Sequence, residues 1–390
     1  MNVQVNQTVR NRESQVLDFL FFYLKEEMML DIIVIGAGII GSTVAYELSK
    51  YDKEVLVLEK NENAGMGVTG HNSAIVHSGV DPKDDTLKEK YNLMGSRMYE
   101  AYCKELGTPF HRIGAFIIAK NKEDSVHIDE LIENGKKRNV FVERLTPEQA
   151  KKLEPNLPDD VYDVLDMPTT AIVDPMDIAR KAIQKAQQNH VKVHYNEQVQ
   201  AIRQIDGGFE LMTDKNTYQT KAIVNAAGLY APHIEQMVSK PTFSLVMRRG
   251  DYIVLGKEAM NIASRVLYPV PSALGKGVLI VPTVHDTVLV GPTAIEVDDP
   301  EDDAVTEEGI AEIKEKITSV IKSVPYEHEI GRLSGIRPKE KEDDFIIEES
   351  KHVPFFFNLA GIDSPGIASA PAIATDFVHR ILNERLGLDK

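Results

Sequence analysis

Cysteine is nearly absent from this 390-residue chain: Cys103 is the only one. A single thiol cannot close an intramolecular disulfide or supply a cysteine-ligated metal or iron–sulfur centre. A reducing, intracellular setting fits. Cys103 falls inside a helical pattern, SRMYEAYCKEL, and reads as a core-facing residue. Basic residues are also in short supply, 44 Lys and Arg against 60 Asp and Glu, for a formal net charge of −16. That balance argues against nucleic acid and anionic membrane surfaces as partners. It also means that an anionic substrate needs a local basic pocket, because the overall field repels it. Long apolar runs are missing too. Leu17–Leu24 (LDFLFFYL) falls well short of the roughly 20 residues that cross a bilayer. Residues 1–28 also lack the basic n-region and small-residue cleavage site of a signal peptide. They read as an N-terminal leader, either an extra helix on the body or a stretch ahead of a start at Met28 or Met29, with a membrane or partner anchor as the secondary reading. No integral membrane segment is expected. A cytoplasmic protein is, with peripheral membrane association through the leader as the alternative.

What is present is the composition of a globular protein, 43% hydrophobic and 27% charged, in a chain long enough for two domains. The chain is organised around Asp31–Lys60. The β-branched run Ile32–Ile35 reads as a buried parallel strand. It ends in Gly36-Ala37-Gly38-Ile39-Ile40-Gly41, a G-x-G-x-x-G fingerprint, and a helical pattern follows from Ser42 to about Tyr51. A second apolar strand, Val55–Leu58, delivers the acid Glu59 about 20 residues beyond the first glycine, the position where a carboxylate accepts hydrogen bonds from ribose hydroxyls. The three glycines have separate jobs: a tight turn, close backbone approach to a pyrophosphate, and close helix–strand packing. The helix N-terminus offers bare N–H groups to the phosphates. An acid at Glu59 without a nearby Arg argues against a ribose 2′-phosphate, and so against NADP. NAD and FAD both remain open at this point.

Further along, residues 61–81 form a long polar, Gly-rich connection of the kind that carries function. Helices are expected at 87–106, 124–137, after the Thr146-Pro147 cap, at 174–188, 307–324 and 368–386. Strands are expected at 115–119, 191–195, 198–204, 208–213, 221–225, 251–255, 278–281, 287–291 and 355–360. The stretch 155–168 reads as loop, and the acidic run Glu296–Glu308 as a solvated surface. There are no internal repeats. βα units alternating with antiparallel stretches predict an α/β nucleotide domain interrupted by an α+β domain.

Four segments make a family resemblance specific: HNSAIVHSGVDP, RRGDYIVL, GKGVLIVPT with the LVGPTA that follows, and GIDSPGIASAPAIA. They span nearly everything after Met29. The sequence resembles the FAD-dependent oxidoreductases of the D-amino-acid-oxidase type, and within them the glycerol-3-phosphate oxidase and dehydrogenase branch, in particular the short mycoplasma-type oxidases. The resemblance implies a Rossmann-type, glutathione-reductase-like FAD-binding domain (29–104, 166–238 and 334–390) interleaved with an α+β substrate domain built on an antiparallel sheet (105–165 and 239–333). Cys103 is badly placed for a covalent link, so the FAD is expected to be non-covalent. The resemblance places Gly36, Gly38, Ile39, Ile40, Gly41, Glu59, Lys60 and Thr69 at the nucleotide end, the Val199 backbone at the adenine, and Ala227 and Gly228 at the pyrophosphate. Asn72 and Ser73 fall beside the flavin with Gly335 and Arg337, and Gly361, Ser364, Pro365, Gly366 and Ile367 wrap the ring. Independently of the name, the small residues after Gly361 aim a helix N-terminus at the pocket, which favours a negatively charged reduced flavin by roughly 0.3–2 kcal/mol.

Oxidising a secondary alcohol needs a base for the hydroxyl proton and clamps for the rest of the substrate. His77, in IVHSG, is the expected base, since a neutral histidine accepts protons at physiological pH; His71 reads as structural. Arg337 in SGIRP, Lys276 between Gly275 and Gly277, and Ser364 are the expected anion clamp, Arg supplying a planar fork. One of Arg248 and Arg249 faces the pocket, with nothing to say which. Tyr252 and His285 are weaker candidates. The resemblance implies oxidation of sn-glycerol 3-phosphate to dihydroxyacetone phosphate, with O2 (giving H2O2), a quinone or a partner protein as electron acceptor. Lack of the C-terminal extension of longer family members favours O2. L-2-hydroxyglutarate or a related 2-hydroxy acid is the alternative substrate, and a flavoprotein subunit that depends on a partner is the alternative of another class. No metal is expected, and the oligomeric state is left open.

Overall fold

The computed structural model describes residues 29–270 and 277–388, so the leader 1–28 and Lys276 lie outside the described residues. An eight-stranded sheet carries the opening unit. Edge to edge it runs Val199–Ile205, Gly208–Thr213, Thr217–Asn225, Leu30–Ile35, Val55–Leu58 and Lys192–His194. Phe356–Ala360 pairs parallel with the end of Thr217–Asn225, and Ile346–Glu349 lies antiparallel to it. The central strands are parallel, Val55–Leu58 buried throughout and Leu30–Ile35 from Ile32 onward, which is why these stretches read as unbroken apolar runs and not as alternations. The alternation is in their facing. Ile32 and Val34 pack with the helices Ile39–Leu48, Pro175–Gln188 and Gly366–Asp376, while Ile33 and Ile35 point to the opposite core with Ile202, Leu211 and Phe356.

A nine-stranded sheet forms the other half, in the order Ile295–Val297, Leu245–Leu255, Val288–Gly291, Leu279–Pro282, Val266–Pro269, Ala115–Ala119, Asp163–Asp166 and Glu143–Leu145. The long strand Glu329–Glu340 also pairs with Leu245–Leu255. Every pair is antiparallel except Ala115–Ala119 with Val266–Pro269. Between the large sheets, Ile75–Val76, Ala171–Val173 and Phe110–Arg112 make a small three-stranded sheet that pins the 61–81 connection just ahead of His77.

Several elements differ from expectation. Residues 163–166 are not loop but a strand held between two neighbours. The strand expected from Asp251 begins at Leu245 and takes Arg248 and Arg249 into the sheet. The helix from Glu307 closes at Lys316 and passes into a 3₁₀ turn, Ile317–Ser319. The last helix opens at Gly366, ahead of Ala368, and continues through a π-helical stretch at Phe377–Leu382. The expected divisions at 165/166 and 333/334 fall inside strands of the second sheet.

The helix Leu87–Leu106 braces the end of the fold that forms the site. Thr86 caps it by accepting from Glu89 N, and the Asp344 carboxylate accepts from Leu87 N and Lys88 N. It crosses Gly366–Asp376 at backbone contact: a Cβ on Gly95 would stand 1.9 Å from the Ala368 carbonyl oxygen. Among the described residues, no helix is long and apolar enough to cross a membrane.

Candidate active site

A cavity of about 1280 Å³ runs between the two large sheets, from the fingerprint to the 361–367 turn. It exceeds the roughly 300–1,000 Å³ of an ordinary small-molecule pocket. At one end the strand Leu30–Ile35 turns sharply into its helix. Gly36 has φ +100, and a Cβ there would lie 2.6 Å from the Ala226 carbonyl oxygen. Gly38 stands at the N-cap without a side-chain acceptor, and the first-turn N–H of Ile39 donates to Thr69 Oγ1 at 2.8 Å. Glu59 is buried at the end of the second strand. Its Oε2 accepts from Ala37 N at 2.7 Å and its Oε1 from Asn61 N and Nδ2, both at 2.8 Å. The carboxylate is thereby locked at the cavity wall with lone pairs to spare. Lys60 is engaged by neighbours: its Nζ lies 3.8 Å from the centre of the Tyr230 ring and 3.7 Å from Glu301 Oε1. Glu301 also accepts from the Tyr230 hydroxyl, so this part of the acidic run is folded onto the nucleotide end and is not plain solvated surface.

The described residues expected to bind cofactor or substrate line this cavity, with Gly41 and the weaker candidate His285 as exceptions. A Cβ on Gly41 would sit 1.9 Å from the Gly36 carbonyl oxygen, so its glycine serves helix–turn packing and not the wall. Asn72 braces its own loop, donating to Thr69 O at 2.7 Å and accepting from Ala74 N at 2.8 Å. Gly335 lets the loop touch the second sheet, since a Cβ there would lie 2.2 Å from His71 O. His71 Nδ1 is 3.1 Å from Gly67 O, and His71 also lines the cavity.

At the far end, Ser73 Oγ is 3.0 Å from the hydroxyl of buried Tyr252, another cavity residue. Burial raises the Tyr252 pKa, although the Arg337 charge and the Ser73 hydrogen bond work against it. Arg248 and Arg337 are direct cross-strand partners and both line the cavity. Arg337 donates to Thr293 O at 2.8 Å, and Arg248 is 3.0 Å from Glu296. Arg249, one residue on, points to the opposite face and pairs with Asp302 at 2.7 Å, as strand alternation requires. That settles which arginine faces the cavity. His285 is exposed, 2.8 Å from Asp174, and outside the wall. Ser364 is exposed at the cavity beside Asp363, which pairs with Lys88 at 2.7 Å; Lys88 also reaches Asp343 at 2.9 Å. Burial works against the Lys88 charge, but Asp363 and Asp343 outweigh it and keep the ammonium.

The sequence profile of the DAO family, FAD dependent oxidoreductases, matches residues 31–380. The chain belongs to that family. The flavoprotein is similar to the glycerol 3-phosphate dehydrogenase of Caloramator mitchellensis, at 38% identity over 93% of this chain and 76% of that protein. It is 32% identical to the glycerol 3-phosphate oxidase of Mycoplasma genitalium over 92% of this chain and 95% of the other. The dithionite-reduced L-α-glycerophosphate oxidase of Mycoplasma pneumoniae, solved with FAD bound, superposes with a TM-score of 0.88 at 30% identity, covering 93% and 96% of the two chains. The residues present suit FAD. A left-handed Gly36 turn against Ala226, an N-cap without a side chain, and a locked buried acid make a dinucleotide cradle, and at Gly228, φ +58, a Cβ would meet nothing within 4 Å.

Tyr252, a weaker candidate on sequence, lines the cavity, and the contacts of Tyr268 with His77 and of Lys88 with Asp363 were not foreseen. Tyr252 and Arg248 were recoverable from period-2 facing once the strand was known to begin at Leu245. Tyr268 and Lys88 depend on contacts between distant segments and left no local signal.

Proposed function

We propose that this FAD-dependent oxidoreductase converts sn-glycerol 3-phosphate to dihydroxyacetone phosphate, with O2 reduced to H2O2 overall. The observation that carries the reading is the Arg248–Arg337 pair on the wall of the cavity that also holds His77. Like charges directly opposite on neighbouring strands are unfavourable, and an anion between them relieves the repulsion. In a chain of net charge −16 such a pair is a local exception. The substrate named for the dehydrogenase and oxidase relatives is an anion of this kind, and the oxidase names support O2.

FAD, when bound, supplies the two-electron acceptor for the substrate carbon. The fingerprint turn with Ile39, Ile40 and Thr69 would hold its pyrophosphate with Ala227 and Gly228, Glu59 its ribose, and Ser73 with Gly361–Ile367 its ring. His77 takes the hydroxyl proton. Arg337 and Arg248 orient the phosphate, assisted by Ser364 and, from its sequence context, Lys276. The test is His77→Ala, followed by anaerobic flavin reduction with glycerol 3-phosphate. Reduction slows by roughly 10²–10⁴-fold while the apparent KM stays near its starting value. Reduction at the normal rate would remove His77 from the role.

A further inference from the structure

His77 touches two spaces. One is the large cavity; the other is a small space of about 20 Å³ behind it, walled among others by Asp81, Thr170 and Tyr268. Tyr268 belongs only to the wall of the second, so it does not face the substrate. It sits on the strand Val266–Pro269, buried in the same core as Ile75, Ile117 and Leu279. Its hydroxyl lies 3.2 Å from His77 Nδ1, the two rings 6.0 Å apart and tilted by 42°. Burial, and then the negative charge of Asp81, push the Tyr268 pKa well above its ordinary value, so the phenol keeps its proton. The His77 backbone is held separately, its carbonyl accepting from Asn92 Nδ2 at 2.9 Å. The Tyr268 contact bears instead on the orientation of the ring and on which nitrogen carries hydrogen.

We propose that Tyr268 is a positioning residue that sets both. This rests on His77 being the base. Nδ1–H donates to the Tyr268 oxygen, and Nε2, the far nitrogen, keeps its lone pair for the substrate. The proton leaving the substrate O–H ends on Nε2, Nδ1 retains its own, and Asp81 lines both of the spaces that the cation so formed would touch. A histidine whose orienting partner is lost spends much of its time in the wrong tautomer.

The experiment is a double-mutant cycle on the FAD-loaded enzyme, measuring anaerobic flavin reduction by glycerol 3-phosphate. Tyr268→Phe keeps the ring and removes the hydroxyl. It should lower the limiting rate about tenfold, with apparent KM within about twofold. In the His77→Ala background the same change should alter the rate by less than about twofold. A wild-type rate in Tyr268→Phe, or a full further tenfold loss in the double variant, overturns the proposal. If His77→Ala alone reduces normally, the base reading falls instead, and the single variant reveals this without reference to Tyr268. Nitrogen-15 spectra of histidine-labelled wild-type holoenzyme give a check that needs no Tyr268 variant. The resonances missing from His77→Ala should report a neutral ring protonated at Nδ1, and a ring protonated at Nε2 overturns the proposal.

Discussion

Arg248 and Arg337 face each other across two strands of the second sheet. Among the described residues, Arg248 pairs with the mostly exposed Glu296, while Arg337 donates to a carbonyl, Thr293 O. In the proposed clamp a phosphate would use the spare capacity of the Arg337 fork. Arg337→Ala should therefore raise the apparent KM for glycerol 3-phosphate by about 10–100-fold, with a much smaller effect on the limiting rate of flavin reduction. Arg337→Lys should recover part of the loss, since charge is kept and the fork is not. Steady-state titration of both variants checks this; an unchanged KM in Arg337→Ala would take the residue out of the clamp. That His77 and Arg337 line the cavity was legible because each sits in a short local pattern. The contacts made by Tyr268 and Tyr252 were not. Their partners lie 191 and 179 positions away, and burial of a tyrosine has no one-dimensional signature.

Among the elements, the opening βαβ unit was readable because chemistry and geometry coincide there: a buried parallel strand must be apolar throughout, and a backbone that meets its neighbour must be glycine. Asp163–Asp166 escaped notice because both ends of that four-residue strand are acids. The start at Leu245 was hidden for a related reason, since Arg248 and Arg249 interrupt the apolar pattern while pairing in register with Glu329–Glu340. The crossing of Leu87–Leu106 with Gly366–Asp376 had no sequence signal beyond its small residues. The contact at Gly95 predicts a large response to one methyl group. Gly95→Ala should force the helices apart at a cost of roughly 1–3 kcal/mol, seen as a lower unfolding midpoint of the holoenzyme. Because the second helix begins at the 361–366 turn, FAD retention should weaken as well. An unchanged midpoint would mean that the helices do not approach as closely as described.

At the scale of the whole molecule, two sheets of different character enclose one long cavity. The first contributes a glycine turn, an acid and a helix N-terminus, and the second contributes the arginine pair and the strand behind His77. The family and its cofactor follow from that first half with the sequence profile. The substrate depends on the second half, where a basic wall stands inside an acidic protein. The most direct test is the absorption spectrum of the purified holoenzyme under anaerobic conditions, with glycerol 3-phosphate and L-2-hydroxyglutarate added separately. Glycerol 3-phosphate should bleach the flavin band rapidly while the hydroxy acid leaves it oxidised. Bleaching by the hydroxy acid alone, or by neither, would contradict the proposed activity.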